Sequence, residues 1–133
     1  METCKALASA GCKVILCSRS VPAGEAAIRE EIAQPGHGGY AVDNAQQLVV
    51  VKALDLESLE SIKAFADEVT KDQSLVSSSI DLLVLNAGIM ALPALERTRD
   101  AGFEKQIGVN HFVCTLLYCA LYVCMYVCMY VQM

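Results

Sequence analysis

An α/β fold built on a parallel sheet is predicted by three observations. Short runs rich in apolar and β-branched residues, at 13–17, 48–54 and 80–85, alternate with amphipathic stretches of helical length. The stretches between the runs suit crossover helices, which parallel strands need and antiparallel hairpins do not. The third run, Leu82-Leu83-Val84-Leu85, is apolar at every position, the pattern of a strand covered on both faces.

Each element has its own local reason. In residues 2–10, Cys4, Leu7 and Ala8 share one helical face, and Gly11 supplies the stop. Lys13-Val14-Ile15-Leu16-Cys17 then reads as a short buried strand, followed by Ser18-Arg19-Ser20 at its carboxyl end. Pro22 opens a second helix that runs to about Ala33, with Ile28 and Ile32 one turn apart. Residues 34–46 form a polar, glycine-containing loop. Leu48 to Leu54 is a second strand, and Ser58 is the N-cap of a helix that places Leu59, Ile62, Phe65, Ala66 and Val69 on one face. Residues 72–79 link this helix to the third strand. A last helix is expected to begin at Thr98 or Asp100 and to pass through Phe103, Ile107 and Val109.

Length and composition bound the function. A chain of 133 residues holds one domain with one core. The net charge of −5, with acids and bases interspersed, argues against nucleic acid as a partner. The seven cysteines are odd in number and contain no C-x-x-C pair, so reduced thiols in a cytoplasmic setting are expected, without a metal site.

Four positions carry candidate chemistry. Arg19, beside Ser18, lies just past a strand end, where a guanidinium can bind a ribose 2′-phosphate or simply face solvent. Asp55-Leu56 closes the second strand; its carboxylate can accept from an adenine amino group or favour a helix start. Asn86-Ala87-Gly88 lets backbone approach a ligand at the end of the third strand, and equally makes a plain turn. Asn110 is a mid-helix asparagine, able to bind a water, kink the helix or point outward. Gly36-His37-Gly38-Gly39 does not follow a strand, so it reads as a loop and not as a phosphate cradle. His111 is given no role.

The run I-D-L-L-V-L-N-A-G at 80–88 resembles the N-A-G signature of the short-chain dehydrogenase/reductase family. V-I-L-C-S-R-S at 14–20 resembles the second strand of NADP-preferring members, and V-V-V-K-A-L-D-L-E-S-L at 49–59 resembles the family's D-L pair. G-F-E-K-Q-I-G-V-N-H at 102–111 resembles the helix whose asparagine belongs to the catalytic tetrad. The resemblance covers residues 2–112, with details closest to the retinol-dehydrogenase-like and protochlorophyllide-reductase-like branches. It implies a doubly wound Rossmann sheet, NADP as cofactor and a small alcohol or carbonyl substrate. It also implies that Ser18, Arg19, Asp55, Leu56, Asn86, Ala87 and Gly88 bind the cofactor and that Asn110 is catalytic.

The departures set the expected activity. The family's first strand and glycine loop would lie just before Glu2. Its serine and Y-x-x-x-K pair would lie beyond residue 112, and Lys105 is the last lysine. A partial Rossmann unit, lacking the first strand and the C-terminal half, is therefore expected to be inactive as given, since the lysine tunes the tyrosine as acid/base. A non-catalytic nucleotide-binding or interaction module is the alternative.

The tail differs in kind. Residues 112–131 carry no charge, and Val123 to Val131 reads V-C-M-Y-V-C-M-Y-V. A TGTA repeat in DNA, read in triplets, encodes this four-residue period, so the tail reads as translated simple-sequence DNA. It divides the chain into a partial nucleotide-binding domain at 1–112 and an apolar, helical tail at 113–133. The length and apolarity also fit a membrane span, which makes membrane association through residues 112–131 the alternative to a cytoplasmic protein.

Overall fold

The computed structural model describes residues 1–31, 48–72 and 80–121. The polar loop at 34–46 with its glycine cluster, Ile32 and Ala33, most of the 72–79 linker and the four-residue repeat lie outside the described residues. The chain divides into two compact units, Met1–Leu54 and Asp55–Met133.

The first unit is a helix, a strand, a second helix and a second strand: α1 (Glu2–Ser9), β1 (Val14–Ser18), α2 (Val21–Glu31) and β2 (Val49–Ala53). α1 ends where expected, with Gly11 at φ 84, a left-handed conformation that glycine adopts without a Cβ penalty. β1 and β2 pair in parallel, with Val14 opposite Val49 and Ser18 opposite Ala53. Ala8, Ile28 and Val49 are buried together, and Val14, Leu16 and Val51 pack around them. Gly24 of α2 approaches the sheet so closely that an added Cβ would lie 2.7 Å from Val51 Cγ1.

The second unit contains α3 (Leu59–Lys71), a short α4 (Lys105–Ile107) and a π-helical turn over Gly108–Phe112, continued by helix over 113–121. Ser58 caps α3 as its sequence predicts, its hydroxyl accepting from the Ser61 amide. Ile62, Phe65, Ala66 and Val69 are buried, and burying each of the three large side chains contributes about 1.5–3 kcal/mol. Leu59, expected on the same face, is 38% exposed because it sits in the first turn. Val109, Val113, Leu117 and Leu121 form a second buried set, spaced four apart along the last helix.

Two expectations are corrected. Residues 80–85 join no sheet among the described residues: the sheet is two-stranded, and Leu82, Val84 and Leu85 are exposed. An all-apolar run makes a strand only when neighbours supply ladder bonds on its edges and cover on its faces, and the run itself supplies neither. The last helix does not begin at Thr98 or Asp100. These residues lie in a reverse turn closed by an Arg97–Glu104 bridge, with Gly102 at φ 67, and Glu104 is the cap that starts α4. Of the expected apolar tail helix, residues 113–121 are helical and the rest lies outside the described residues; no described helix is long and apolar enough to cross a membrane.

Candidate functional site

Asn110 lies in the middle of the π-helical turn, and its carboxamide meets the backbone that follows Asn86-Ala87-Gly88. Asn110 Oδ1 accepts from the Ile89 amide at 2.8 Å, and Asn110 Nδ2 donates to the Ile89 carbonyl at 2.7 Å. This pair of bonds ties a segment without ladder partners to the helix. Gly88 sits at the same contact: a Cβ there would come within 3.4 Å of Asn110 Oδ1. The wide turn is marked by the Val113 amide donating to Gly108 O, five residues back. Gly108 is needed where the helix presses on the preceding turn, since a Cβ would lie 2.7 Å from Thr98 Cγ2. His111, next to Asn110, is exposed, with its ring 5.6 Å from that of Phe112.

Asp55 and Leu56 open the second unit. The Asp55 carboxylate is fixed by two donors: Arg99 Nη2 reaches Oδ2 at 2.8 Å, and the Glu57 amide reaches Oδ1 at 3.0 Å. The Asp55 amide itself donates to Ser61 Oγ. Each carboxylate oxygen retains a second lone pair. The neighbouring residues are met from the same turn. Asp100 Oδ2 accepts from Ser58 Oγ and the Leu59 amide, at 2.9 and 2.8 Å. Lys105 Nζ bridges Glu96 at 3.0 Å and Glu57 at 3.2 Å, and those two carboxylates hold its pKa above the ordinary lysine value.

Ser18 and Arg19 lie in the first unit, at the carboxyl end of β1. The Ser18 hydroxyl is used locally, donating to Ser20 O and accepting from the Ser20 amide. Arg19 is exposed and makes no ion pair among the described residues. Beside them, desolvation of the Cys17 thiol, with Cys4 nearby, pushes its pKa up to about 11, so it stays a neutral thiol at physiological pH. Among the described residues no cluster of histidine, cysteine and carboxylate side chains could hold a metal ion.

Asn110 thus meets the backbone beside Gly88, 22 positions away, and Asp55 gains Arg99 as a partner. Asn86 and Ala87 are exposed in the irregular segment after Leu85. Sequence reasoning missed Arg99, Asp100 and Lys105. The one signal was the density of charge in E-R-T-R-D at 96–100, unusual for a helix start.

The strand–helix–strand unit with its parallel β1–β2 pair defines an α/β chain. The chain belongs to the short chain dehydrogenase family, whose model matches residues 1–127. It is 44% identical over 110 residues to retinol dehydrogenase 11 of Mus musculus, covering 83% of this chain and 30% of that protein. It is 40% identical over 104 residues to mouse retinol dehydrogenase 14, and 40% identical over 110 residues to the WW domain-containing oxidoreductase of Drosophila melanogaster, covering 76% and 83% of this chain and 29% and 24% of those proteins. These relatives place it in the retinol-dehydrogenase-like branch. A solved structure of an uncharacterised protein from Mycobacterium paratuberculosis matches 92% of this chain and 37% of its own, with a TM-score of 0.67 and 36% identity. The chain spans about 30% of the length of the curated retinol dehydrogenases it matches.

Proposed function

We propose that this chain is the nucleotide-binding portion of an NADP-dependent oxidoreductase acting on a small alcohol or carbonyl compound, and that it has no turnover as given. The observation that carries the reading is the clamp between Asn110 and Ile89, which holds the helix asparagine against the backbone next to Gly88. The residues present suit a nicotinamide dinucleotide phosphate. Arg19 is an exposed cation past the end of β1, without an ion pair among the described residues, and suited to a ribose 2′-phosphate. Asp55 is an acceptor with spare lone pairs, suited to an adenine amino group. Asn86, Ala87 and Gly88 offer open backbone to a ribose. Proteins of this family bind NAD or NADP, and the bound nicotinamide supplies or accepts the hydride. The Asn110 side chain is engaged with Ile89, so its contribution to catalysis would be to shape the wide helical turn and fix the N-A-G backbone. Inactivity follows from the absence of a Y-x-x-x-K pair in these residues, which leaves no tuned proton donor.

The test is a binding titration of the full chain with NADP and NAD, beside a turnover assay with aldehydes, ketones and retinoids. NADP should bind more tightly, and Arg19→Ala should remove the preference, a loss of about 1.5–3 kcal/mol for a charge-assisted contact. Equal affinities before and after the substitution would exclude the assignment, and turnover attributable to the chain would exclude inactivity.

A further inference from the structure

The turn at 96–105 meets the start of α3 residue by residue. Asp55 receives Arg99, Glu57 receives Lys105, and Ser58 with Leu59 receives Asp100. Of these links, only the first ends on a residue with a proposed ligand role. The Asp55 side chain is 21% exposed, whereas that of Arg99 is 68% exposed. The arginine is therefore the outer partner, and the carboxylate is the inner, oriented one. A carboxylate only accepts hydrogen bonds, so at a purine edge it selects a 6-amino group over a 6-oxo group. That selection needs its plane held. The Arg99 guanidinium at 2.8 Å holds one oxygen, and the Glu57 amide at 3.0 Å holds the other.

We propose that Arg99 is a positioning residue for base selection: by fixing the Asp55 carboxylate, it makes the site prefer adenine over hypoxanthine. The proposal rests on the nucleotide reading given above. Arg99 acts through Asp55 and needs no contact with the nucleotide. Its effect should therefore fall on the base and not on the ribose phosphate.

The experiment uses the full chain and two pairs of probes. The first pair is NADP and its deaminated analogue, nicotinamide hypoxanthine dinucleotide phosphate. The second is 2′-phospho-AMP and AMP. Wild type should prefer NADP over the hypoxanthine analogue, and Asp55→Asn should abolish that preference. Arg99→Gln should reduce it about tenfold, as expected for a charge-assisted bond, while the preference for 2′-phospho-AMP stays as in wild type. Arg99→Lys, which keeps the charge but not the planar fork, should restore part of the base preference. A simple structural role for Arg99 would lower all four affinities together, and that result would overturn the proposal. An Arg99→Gln chain with unchanged base preference, when Asp55→Asn has lost it, would overturn the proposal and leave the nucleotide reading standing. An Asp55→Asn chain with unchanged base preference, or no nucleotide binding by wild type, would overturn both. Arg99 is exposed, so the fold should tolerate glutamine. If far-UV circular dichroism shows unfolding, Arg99→Lys is read instead, with an intermediate preference expected and an unchanged one overturning the proposal.

Discussion

The carboxamide of Asn110 bonds to both backbone polar groups of Ile89, at 2.8 and 2.7 Å, across 21 residues of sequence. The contact uses one donor and one acceptor of the side chain, so it fixes which way the amide faces. It also explains why an asparagine is tolerated inside a helix: its side chain satisfies the backbone of Ile89, in a segment that joins no sheet among the described residues.

Asn110→Ala should therefore loosen the N-A-G segment rather than unfold the helix. Losing two exposed bonds, each worth about 0.5–1.5 kcal/mol, should speed hydrogen exchange at the Ile89 amide severalfold or more. Asn110→Asp should be worse at pH 7 than at pH 3, because the ionised oxygen that replaces Nδ2 would face the Ile89 carbonyl. An aspartate chain with wild-type protection at pH 7 would contradict the assigned orientation.

Gly24→Ala should destabilise the first unit although alanine is the better helix former. The propensity gain is about 1 kcal/mol. Against it stands a Cβ 2.7 Å from Val51 Cγ1 and 3.3 Å from Ser18 Cβ, in a place where the branched valine has little rotamer freedom. Overpacking of this kind costs about 1–3 kcal/mol. A urea midpoint that falls supports close packing of α2 on β2, and one that rises shows that the helix can move away.

Asp100 gives a pH dependence with a defined sign. Desolvation, the largest single influence, raises its pKa, but the Ser58 hydroxyl and the amides of Glu60, Leu59 and Asp100 together outweigh it and leave the carboxyl below its usual value. A depressed folded-state pKa means that the stabilisation is fully present above the unfolded value, near 3.8, and is lost as pH falls through the folded one. Asp100→Asn should therefore weaken protection of the first turn of α3 at pH 6, and its difference from wild type should shrink below pH 4. Hydrogen exchange at Leu59 and Glu60 reads this directly. A difference independent of pH would show that the charge plays no part in the cap.

Most of the first unit was legible in the sequence. α1, α2, β1 and β2 each form from a local pattern: apolar spacing, a glycine stop, a β-branched run. The same holds for α3, whose cap and apolar face lie within 12 residues. The family was legible for a related reason, since the S-R-S and D-L motifs sit at the carboxyl ends of β1 and β2, which the local pattern already located, and N-A-G follows the apolar run at 80–85.

What sequence alone determined was therefore every element whose signal is local: a cap, an apolar helical face or a β-branched run. Tertiary structure decided the rest. Residues 80–85 have a strand's composition, but a strand exists only with a hydrogen-bonded neighbour, and none is present among the described residues. Thr98 and Asp100 have good helix-capping side chains, yet Thr98 Oγ1 accepts from the Phe103 amide inside a turn and Asp100 caps α3 instead. The hydrogen-bond partners of Arg99 and Asn110 likewise lie 44 and 21 positions away. A side chain's chemistry can be read from its letter, but the group that satisfies it is chosen by how the chain folds back, and nothing in the local pattern encodes that return.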